Sequence, residues 1–325
     1  MKKFLPNFIK HSVSDAEIIL IDNFSHDNSI KFVESQYPEI TIIKLDKNHG
    51  FAGGYNQGLK KLSHKYFLIV NSDIEVSKNW IKPLIDLLKS DSNISVVQPK
   101  ILNYNKKDEF EYAGAAGGHI DLLAYPICKG RIFNNIEKDI GQYENNTEIF
   151  WASGACMAIR ADDFISTGGF DKDFFAHMEE IDLCWRLKNK GKKVLYTNKS
   201  IVYHVGGGTL NYGSAKKTFL NYRNNLWMIH KNYDGNIPLW LILISRIVLD
   251  QISGIRFLLT GQLKHIFQIY RAHFSYVSSL NKTQNKRKKI KKLPTYQMIG
   301  LIKQIVIWQY FIKQKRIFTD IIKSP

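Results

Sequence analysis

Three carboxylates lie close together among large apolar residues. Residues 173–187 read DFFAHMEEIDLCWRL, so Glu179, Glu180 and Asp182 stand among phenylalanine, methionine, leucine and tryptophan side chains. A carboxylate that loses its hydration requires an ion partner, a proton or a metal ion. The segment therefore predicts buried ion pairs, an acid–base group, or both.

Helical spacing provides a partner for some of these acids. In a helix that begins near Glu179, this residue and Asp182 are three positions apart, and Asp182 is four positions before Arg186. Acids are also favourable at the positive N-terminus of a helix. We therefore interpret Asp182, and Glu179 with it, as structural. Glu180 lies on another face without a local partner, and a carboxylate beside a cleft can act as a general base.

A further carboxylate, Asp73, follows the apolar run YFLIV (66–70) in the tripeptide Asn71-Ser72-Asp73. At the carboxyl edge of a parallel sheet, Asp73 is placed where phosphates and metal ions bind. A hard divalent cation takes carboxylate oxygens, and a diphosphate can supply the rest of its shell. A turn capped by Asp73 with help from Ser72 explains the same residues, so both interpretations stay open.

Two glycine-rich segments add candidates. GFAGGYNQG (50–58) allows a backbone to approach a ligand closely, but it does not match GxGxxG, and a plain tight turn is the alternative. In YHVGGGT (203–209), His204 is either structural or, as a neutral imidazole near a cation, a ligand.

The elements that must position these residues alternate between strands and helices. Strand patterns occupy 16–23, 40–45, 66–70 and 94–99, and helical patterns occupy 29–37, 54–62 and 79–89. This rhythm predicts an α/β fold with a doubly wound, mostly parallel sheet whose ligand lies beyond the carboxyl ends of the strands. Residues 101–150 have few periodic runs and predict a loop region that covers the substrate. A strand at 150–160, a helix at 179–189 and strands at 193–197 and 201–205 follow.

Charge divides the chain in two. Residues 1–215 contain 26 Lys and Arg and 26 Asp and Glu, whereas residues 216–325 contain 20 Lys and Arg and only three Asp, so the last third carries the net charge of +17. We predict a domain at 1–230 and a basic helical region at 231–325. The three cysteines have no metal-ligand spacing, which favours a reduced, cytosolic setting.

The order of the motifs is more specific than any one of them. It runs through IDN (21–23), NHGFAGGYNQG (48–58), NSD (71–73), GACMAIR (154–160), the acidic segment and YHVGGGT (203–209). Over about residues 4–230 this order resembles glycosyltransferase family 2, and most closely its rhamnosyltransferase-like bacterial members that build surface polysaccharides. The resemblance implies a GT-A-like fold and an inverting transfer from a nucleoside-diphosphate sugar.

The resemblance also implies residue roles. Glu180 falls on the position of the catalytic base, where Asp is the commoner residue in the family. Asp73 would bind Mg or Mn at the diphosphate, with His204 as a further ligand. The nucleotide would be bound by Asp22, Asn23, Ser25, Asn48, Gly50, Phe51 and Asn56. The donor and acceptor pocket would include Asn71, Ser72, Trp151, Gly154 and Ala155. Asp22 suits the imide N–H of uracil or thymine, so we expect a UDP- or dTDP-sugar, with dTDP-rhamnose favoured by family likeness alone.

The sequence departs from the family at its start. Members begin with a strand of the VxIVxxxNxN kind ahead of the helix that matches FLPNFIKHS (4–12), and this strand is missing here. Because the first strand of a doubly wound sheet lies centrally, we expect a gap in the sheet beside the nucleotide pocket. The departure predicts a truncated start, or an inactive protein if the sequence is complete.

The last third predicts attachment to a membrane surface. Residues 237–259 are apolar but interrupted by Arg246, Asp250 and Arg256, so they predict a helix lying in the membrane plane rather than one of the ~20 residues that span a bilayer. KRKKIKK (286–292) adds a basic run, which an anionic lipid surface attracts at roughly 1 kcal/mol per basic residue. A soluble helical subdomain is the alternative. The mixture of basic and large aliphatic residues argues against nucleic acid.

Together these features predict a metal-dependent inverting glycosyltransferase that acts on a glycan or lipid-linked acceptor, peripherally bound to the cytoplasmic face of the inner membrane. Two alternatives stay open: a sugar nucleotidyltransferase, and an inactive membrane-bound scaffold of the same fold.

Overall fold

The computed structural model describes residues 1–206 and 214–322. The strands are β1 (Ile19–Asp22), β2 (Thr41–Lys44), β3 (Tyr66–Val70), β4 (Ile74–Val76), β5 (Ile94–Asn103), β6 (Gly118–Asp121), β7 (Pro126–Cys128), β8 (Arg131–Ile132), β9 (Asn135–Ile136), β10 (Thr147–Glu148), β11 (Cys156–Arg160), β12 (Lys193–His204) and β13 (Leu301–Ile302). The helices are α1 (Leu5–Ser12), α2 (Ser29–Gln36), α3 (Gly50–Leu59), α4 (Ile81–Ser90), α5 (Ala161–Ser166), α6 (Glu179–Asn189), α7 (Ala215–Asn232), α8 (Leu239–Leu259), α9 (Leu263–Ser278), α10 (Leu280–Lys289), α11 (Val306–Phe311) and α12 (Phe318–Ile322). Short 3-10 helices cover Lys172–Phe174 and Thr295–Gln297.

The central sheet contains six strands in the order β10-β12-β5-β11-β3, with β4 also paired to β12. The α/β class is as predicted, but the sheet is mixed rather than mostly parallel: β12 and β5 pair in parallel, and the other pairings in this sheet are antiparallel. The reason lies in β11. Its first residue, Cys156, pairs with Val70 at the carboxyl end of β3, so the chain enters β11 from the ligand edge without a crossover helix.

The expected gap in the sheet is present beside β1. Within the described ranges, β1 pairs only with β2, and β3 pairs only with β11. The two unpaired edges belong to neighbouring strands. Near the amino ends of β1 and β3, His64 Nε2 lies 2.9 Å from Glu17 Oε2. Near their carboxyl ends both strands contact α3: the Tyr55 hydroxyl donates to the Val70 carbonyl at 2.9 Å, and Gly54 lies against Asn23.

The prediction of a covering loop at 101–150 is wrong. This segment contributes β6 to β9, which form a second sheet in the order β13-β6-β7-β8-β9, and its Phe110, Ile120 and Ile127 side chains are buried in the main core. The strands are two to four residues long, too short to produce a periodic pattern. β13 joins this sheet from the C-terminal end of the chain, and Phe318 packs in the same core.

The C-terminal helices pack on the acidic segment. Helix α7 crosses the predicted boundary at residue 230, and α8 and α9 form a hairpin against it. The charges that interrupt α8 point inward, since Arg246 stacks on the Tyr125 ring at 4.2 Å and Asp250 Oδ2 lies 2.9 Å from His273 Nε2. In the described parts of the chain, none of the helices combines the length and the apolarity that a bilayer crossing requires.

Candidate active site

Polar side chains gather beyond the carboxyl ends of β1 and β2. Asn23 donates from Nδ2 to the Gly50 carbonyl at 2.9 Å and accepts from the His49 amide at 2.9 Å. Asn48 Oδ1 accepts from the Gly50 amide at 2.8 Å and lies 3.3 Å from Asn23 Nδ2. The structure therefore brings together Asn23, Asn48 and Gly50, three residues predicted to bind the nucleotide.

Glycine is required at position 50. Its φ is +69°, and a Cβ would collide with the carbonyl oxygen of Phe175, which also accepts from the Ala52 amide at 3.2 Å. Gly50 is the first residue of α3, so the glycine-rich segment is the first part of a helix rather than a loop before one at 54–62. The glycines have packing roles: Gly50 allows the helix to approach the Phe175 loop closely, and Gly54 and Gly58 allow it to approach Asn23 and Ile21.

The other predicted nucleotide residues lie in three different settings. Asp22 Oδ1 accepts from the Ser25 amide at 3.0 Å, which closes the turn after β1 and leaves Oδ2 available. Asn56 points to the opposite side of α3, where its amide donates to the Phe170 carbonyl at 2.7 Å and accepts from the Phe170 amide at 2.9 Å. Its observed role is to hold α3 to the loop before the acidic segment. Phe51 packs on Gly154.

Asp73 and His204 meet at the carboxyl edge, as the metal hypothesis requires. His204 Nε2 lies 3.2 Å from Asp73 Oδ1, and Nδ1 lies 3.3 Å from Glu111 Oε1, which the sequence did not indicate. Burial would lower the pKa of His204, but the two carboxylates raise it to about 9. Burial would raise the pKa of Asp73, but His204 lowers it below its usual range.

A divalent cation fits this pair only in part. Neither imidazole nitrogen has an aligned hydrogen-bond partner among the described residues, which suits replacement of the proton by a cation. Across residues 1–206 and 214–322, however, no group of three or more His, Cys, Asp and Glu side chains is arranged to hold a metal ion. Asp73 and His204 would therefore hold a cation only with oxygens from a diphosphate to complete its shell. Gly207, Gly208 and Thr209 of the YHVGGGT motif lie outside the described residues.

The predicted donor and acceptor residues divide between pocket and core. Asn71 and Ala155 are joined through their backbones, since the Asn71 amide donates to the Ala155 carbonyl at 2.9 Å, and Ser72 is exposed in the following turn. Gly154 lies between Phe51 and Glu180. Trp151 instead is 3% exposed, and its indole N–H donates to the His119 carbonyl at 2.9 Å, so it supports the second sheet.

Asp182 has the structural role that its spacing predicts. Its Oδ2 accepts from Arg186 Nε at 2.8 Å, and its Oδ1 lies 2.8 Å from both Lys231 Nζ and Asn232 Nδ2 of α7. Burial would raise the pKa of Asp182, but Lys231 and Arg186 lower it. This network fixes α6 to α7.

Glu179 and Glu180 differ from Asp182 because no cation in residues 1–206 and 214–322 pairs with them. Glu179 lies in the first turn of α6, and its structural role stays a prediction. Its side chain is buried, its Oε2 has no hydrogen-bond partner among the described residues, and burial together with Glu180 raises its pKa well above the usual value. Glu180 is half-buried beside Gly154, and burial raises its pKa to about 7 against the opposing effect of backbone amides at the N-terminus of α6. A carboxyl poised near neutral pH at a cleft has the properties of a general base.

The loop that leads into α6 has a strained backbone. Phe175, His177 and Met178 have φ values of 66°, 70° and 73°, a region that non-glycine residues rarely adopt. The buried Asn224 of α7 stabilises this loop, because its Nδ2 lies 2.8–2.9 Å from the carbonyls of Phe174, Ala176 and His177. The sequence did not indicate Asn224, since a mid-helix asparagine has no distinctive spacing.

Comparison with known proteins agrees with this geometry. The family model described as glycosyl transferase family 2 matches residues 2–168, just over half of the chain. A low-salt glycan biosynthesis hexosyltransferase, Agl10 of Haloferax volcanii, is 25% identical over 217 residues, which are 64% of this chain and 66% of that protein. An N-acetylglucosaminyl-diphospho-decaprenol L-rhamnosyltransferase of Mycobacterium tuberculosis is 21% identical over 63% of this chain and 71% of that protein.

Among solved structures, GalNAc-T7 with UDP, GalNAc and Mn2+ covers 71% of this chain and 45% of its own, at 17% identity and a TM-score of 0.54. This likeness concerns the fold, and it supports the GT-A-like architecture. The chain thus spans slightly less than two thirds of the haloarchaeal relative and under half of GalNAc-T7. With the family match, the order of the motifs and the placement of Asp73 and Glu180 in agreement, the chain belongs to glycosyl transferase family 2.

Proposed function

We propose that the protein is an inverting glycosyltransferase that moves a sugar from a nucleoside-diphosphate sugar to a hydroxyl of a glycan or lipid-linked acceptor during synthesis of a cell-surface polysaccharide. The observation that carries the proposal is Glu180, a carboxyl without a cation partner at the N-terminus of α6. It lies beside Gly154, next to the strand edge that carries Asp73.

In this reaction the chain's residues hold the donor and move one proton. Glu180 accepts the proton of the acceptor hydroxyl, whose oxygen forms the new bond to the anomeric carbon while the bond to the diphosphate oxygen breaks. The free oxygen Oδ2 of Asp22 is suited to accept from the imide N–H of uracil or thymine, which favours UDP- or dTDP-sugars. A cation held by Asp73 and His204, Mg or Mn, would supply charge neutralisation for the departing nucleoside diphosphate.

Two of the similar proteins support the proposed metal, donor sugar and acceptor. GalNAc-T7 is described with UDP and Mn2+, which favours a metal-dependent reaction. The mycobacterial relative is named for a rhamnosyl donor and a diphospho-decaprenol acceptor, which favours rhamnose and a lipid-linked acceptor.

We also propose peripheral attachment to the cytoplasmic face of the inner membrane. The outer side of α8 exposes Trp240, Leu241, Ile244, Val248, Ile252, Ile255, Leu258 and Leu259. The outer side of α9 exposes Leu263, Phe267, Tyr270, Phe274 and Val277. We call these residues the outer apolar face. Between residues 235 and 319 the only acid is Asp250, which is buried, so the surroundings of this face are basic.

A second candidate, an inactive protein of this fold, is favoured by the gap between β1 and β3, because it leaves Asp22 at an unpaired strand edge. The unfolding temperature, measured with UDP, dTDP and GDP, each with Mn2+ or with EDTA, distinguishes the active transferase from the inactive protein. An active transferase will be stabilised by one nucleotide in Mn2+ and not in EDTA. If none of the nucleotides raises the unfolding temperature, the transferase proposal fails.

A further inference from the structure

An open cleft of about 500 Å³ lies between the acidic segment and helices α7 and α9. One wall is Phe175, the residue whose carbonyl contacts α3. Lys216, Arg223 and Arg271 also line the cleft, with Lys216 Nζ 4.7 Å from the centre of the Phe175 ring and Phe219 in contact with both arginines. The cleft is separate from Asp22, Asp73 and the other predicted donor residues, none of which lines it.

The cleft carries positive charge without a counterion. Lys216, Arg223 and Arg271 form no ion pair with a carboxylate anywhere in the described ranges. Both arginines stack on the Phe219 ring, with guanidinium carbons 4.9 and 4.8 Å from its centre. Their hydrogen-bond acceptors are uncharged: Arg223 donates to Asn224 Oδ1 and to the Asp173 and Phe174 carbonyls, and Arg271 donates to Gln268 Oε1. Burial lowers the pKa of Arg223 to about 10, and Arg271 contributes to this against the opposing effect of Asp173. Two guanidinium groups held on one ring attract an anion strongly.

The acid that lines the cleft does not provide this anion. The carboxylate of Asp173 is bound on its other side by Lys282, 2.8 Å away, and by Lys286 of α10. Asp171 beside it is bound by Lys231 and Lys286. The basic run of α10 thus partly neutralises the acidic loop, and the cleft retains its own positive charge.

The position of the cleft connects the outer apolar face to the candidate base. Arg271 is four residues after Phe267 and three before Phe274, so all three share one side of α9. Phe267 and Phe274 belong to the outer apolar face and are 66% and 76% exposed. On the inner side, Phe175 precedes Glu180 by five residues in the loop held by Asn224.

We propose that this cleft binds the phosphate groups of a membrane-embedded acceptor, with the lipid chain on the outer apolar face and the acceptor sugar directed towards Glu180. The inference rests on the proposed transferase function for the identity of the acceptor, but the binding itself requires neither donor nor catalysis. Arginine forks match phosphate oxygens, and a cleft of this volume accommodates a diphosphate with its first sugar.

The test is binding of the full chain to phosphatidylcholine vesicles that carry geranylgeranyl diphosphate, compared with vesicles of equal surface charge made with phosphatidylglycerol. We expect binding to the diphosphate vesicles to be about tenfold tighter, since one bidentate pair contributes on the order of 1.5 kcal/mol. Lys216→Ala and Arg271→Ala should each remove this preference. Arg256→Ala is the matched control: it removes an exposed charge of α8 away from the cleft and should weaken binding to both kinds of vesicle equally.

Inorganic pyrophosphate distinguishes a lipid head group from a soluble phosphate. If free pyrophosphate binds the wild-type chain as tightly as the diphosphate vesicles do, the ligand is soluble and the proposal is overturned. Equal binding of the wild type to both vesicles, or an unchanged preference in Arg271→Ala, also overturns it. The rise in unfolding temperature caused by nucleotide and Mn2+ tests the transferase proposal separately. It should be the same in these variants as in the wild type.

Discussion

At the scale of single residues, the acidic segment contains two kinds of carboxylate. Two cations and an amide surround Asp182 and favour its ionised form, whereas Glu179 and Glu180 have no cation partner in the part of the chain that the structure describes. Acids that are close in sequence therefore have pKa values shifted in opposite directions, which suits Asp182 to an ion pair and Glu180 to proton transfer.

Glu180→Gln should reduce transfer by about 10²–10⁴-fold and leave nucleotide binding unchanged, because the amide cannot accept a proton. Glu179→Gln is the matched control. Burial and the neighbouring Glu180 raise the pKa of Glu179 well above its usual value and so favour the neutral carboxyl. Glutamine is nearly isosteric with that neutral form, so the rate of this variant should stay close to wild type. Single-turnover transfer and nucleotide titration measure the two effects; equal losses in both variants would remove Glu180 from the role of base.

The transfer rate should rise with pH through about 7, where Glu180 loses its proton. The same group sets a stability trend. Its pKa is raised from 4.5 when the chain folds, so the stabilisation it provides is complete below pH 4.5 and is lost as pH rises through about 7. Relative to wild type, Glu180→Gln should therefore gain about 2–3 kcal/mol in unfolding free energy between these limits. Denaturant unfolding at pH 5 and pH 8 measures this gain, and an equal difference at both values would contradict it.

Asp73→Ala should weaken nucleotide binding in Mn2+ by about 10²-fold and abolish its sensitivity to EDTA, because the carboxylate is the anionic ligand of the proposed cation. Asp86→Ala is the control, since Asp86 pairs with Lys82 on the exposed side of α4. Isothermal titration of both variants is the measurement. A variant at position 73 that retains EDTA-sensitive binding would exclude Asp73 as a ligand.

The residue types and their order in the sequence predicted the placement of Asp73 beside His204 and of Asn23 beside Asn48, while their roles and that of Glu180 stay predictions. Residue types and order were not sufficient for Glu111 and Asn224. Glu111 lies in a segment without periodicity, and it reaches His204 only through tertiary packing. A single acid or asparagine has no signal along the chain when its partner is about 50 or more residues away.

At the scale of elements, helix α7 determines the shape of the loop before α6. Asn224 holds three of its carbonyls while Asp182 and Lys231 fix the two helices together. Long helices and strands buried on both faces were predictable because their periodic patterns extend over many residues. The two- to four-residue strands of the second sheet were not, since their pairing depends on residues far apart in sequence.

Asn224→Ala should lower the unfolding free energy by about 2–3 kcal/mol, because up to three buried carbonyls lose their donor. Transfer should fall more than nucleotide binding does, since the positive φ values at His177 and Met178 relax and Glu180 moves. Asn221→Ala on the same helix is the control, because Asn221 makes no side-chain hydrogen bond in the described part of the chain. A parallel loss of nucleotide affinity in Asn224→Ala would show that the loop has no separate role in transfer.

At the scale of the whole molecule, the excess positive charge and the outer apolar face coincide in the last third of the chain. The sequence predicted this combination, but not that Arg246 and Asp250 of α8 would point inward and leave an uninterrupted apolar side. The C-terminal helices also join the catalytic part, through Lys286 on Asp171 and through β13 in the second sheet. Binding of the outer apolar face to a membrane would therefore affect the conformation of the loop that leads to Glu180.

The double variant Phe267→Ser/Phe274→Ser should lower binding to phosphatidylglycerol vesicles at least tenfold, because each side chain loses on the order of 1.5 kcal/mol or more of apolar transfer. The fold should remain intact, since both rings are exposed. Ile140→Ser is the matched control: Ile140 is 82% exposed on the catalytic part, and its loss should leave sedimentation with vesicles unchanged. Binding of the double variant that equals the wild type would assign the interaction to basic charge alone. In that case the outer apolar face would be free for a protein partner, and high salt would release the chain from vesicles completely.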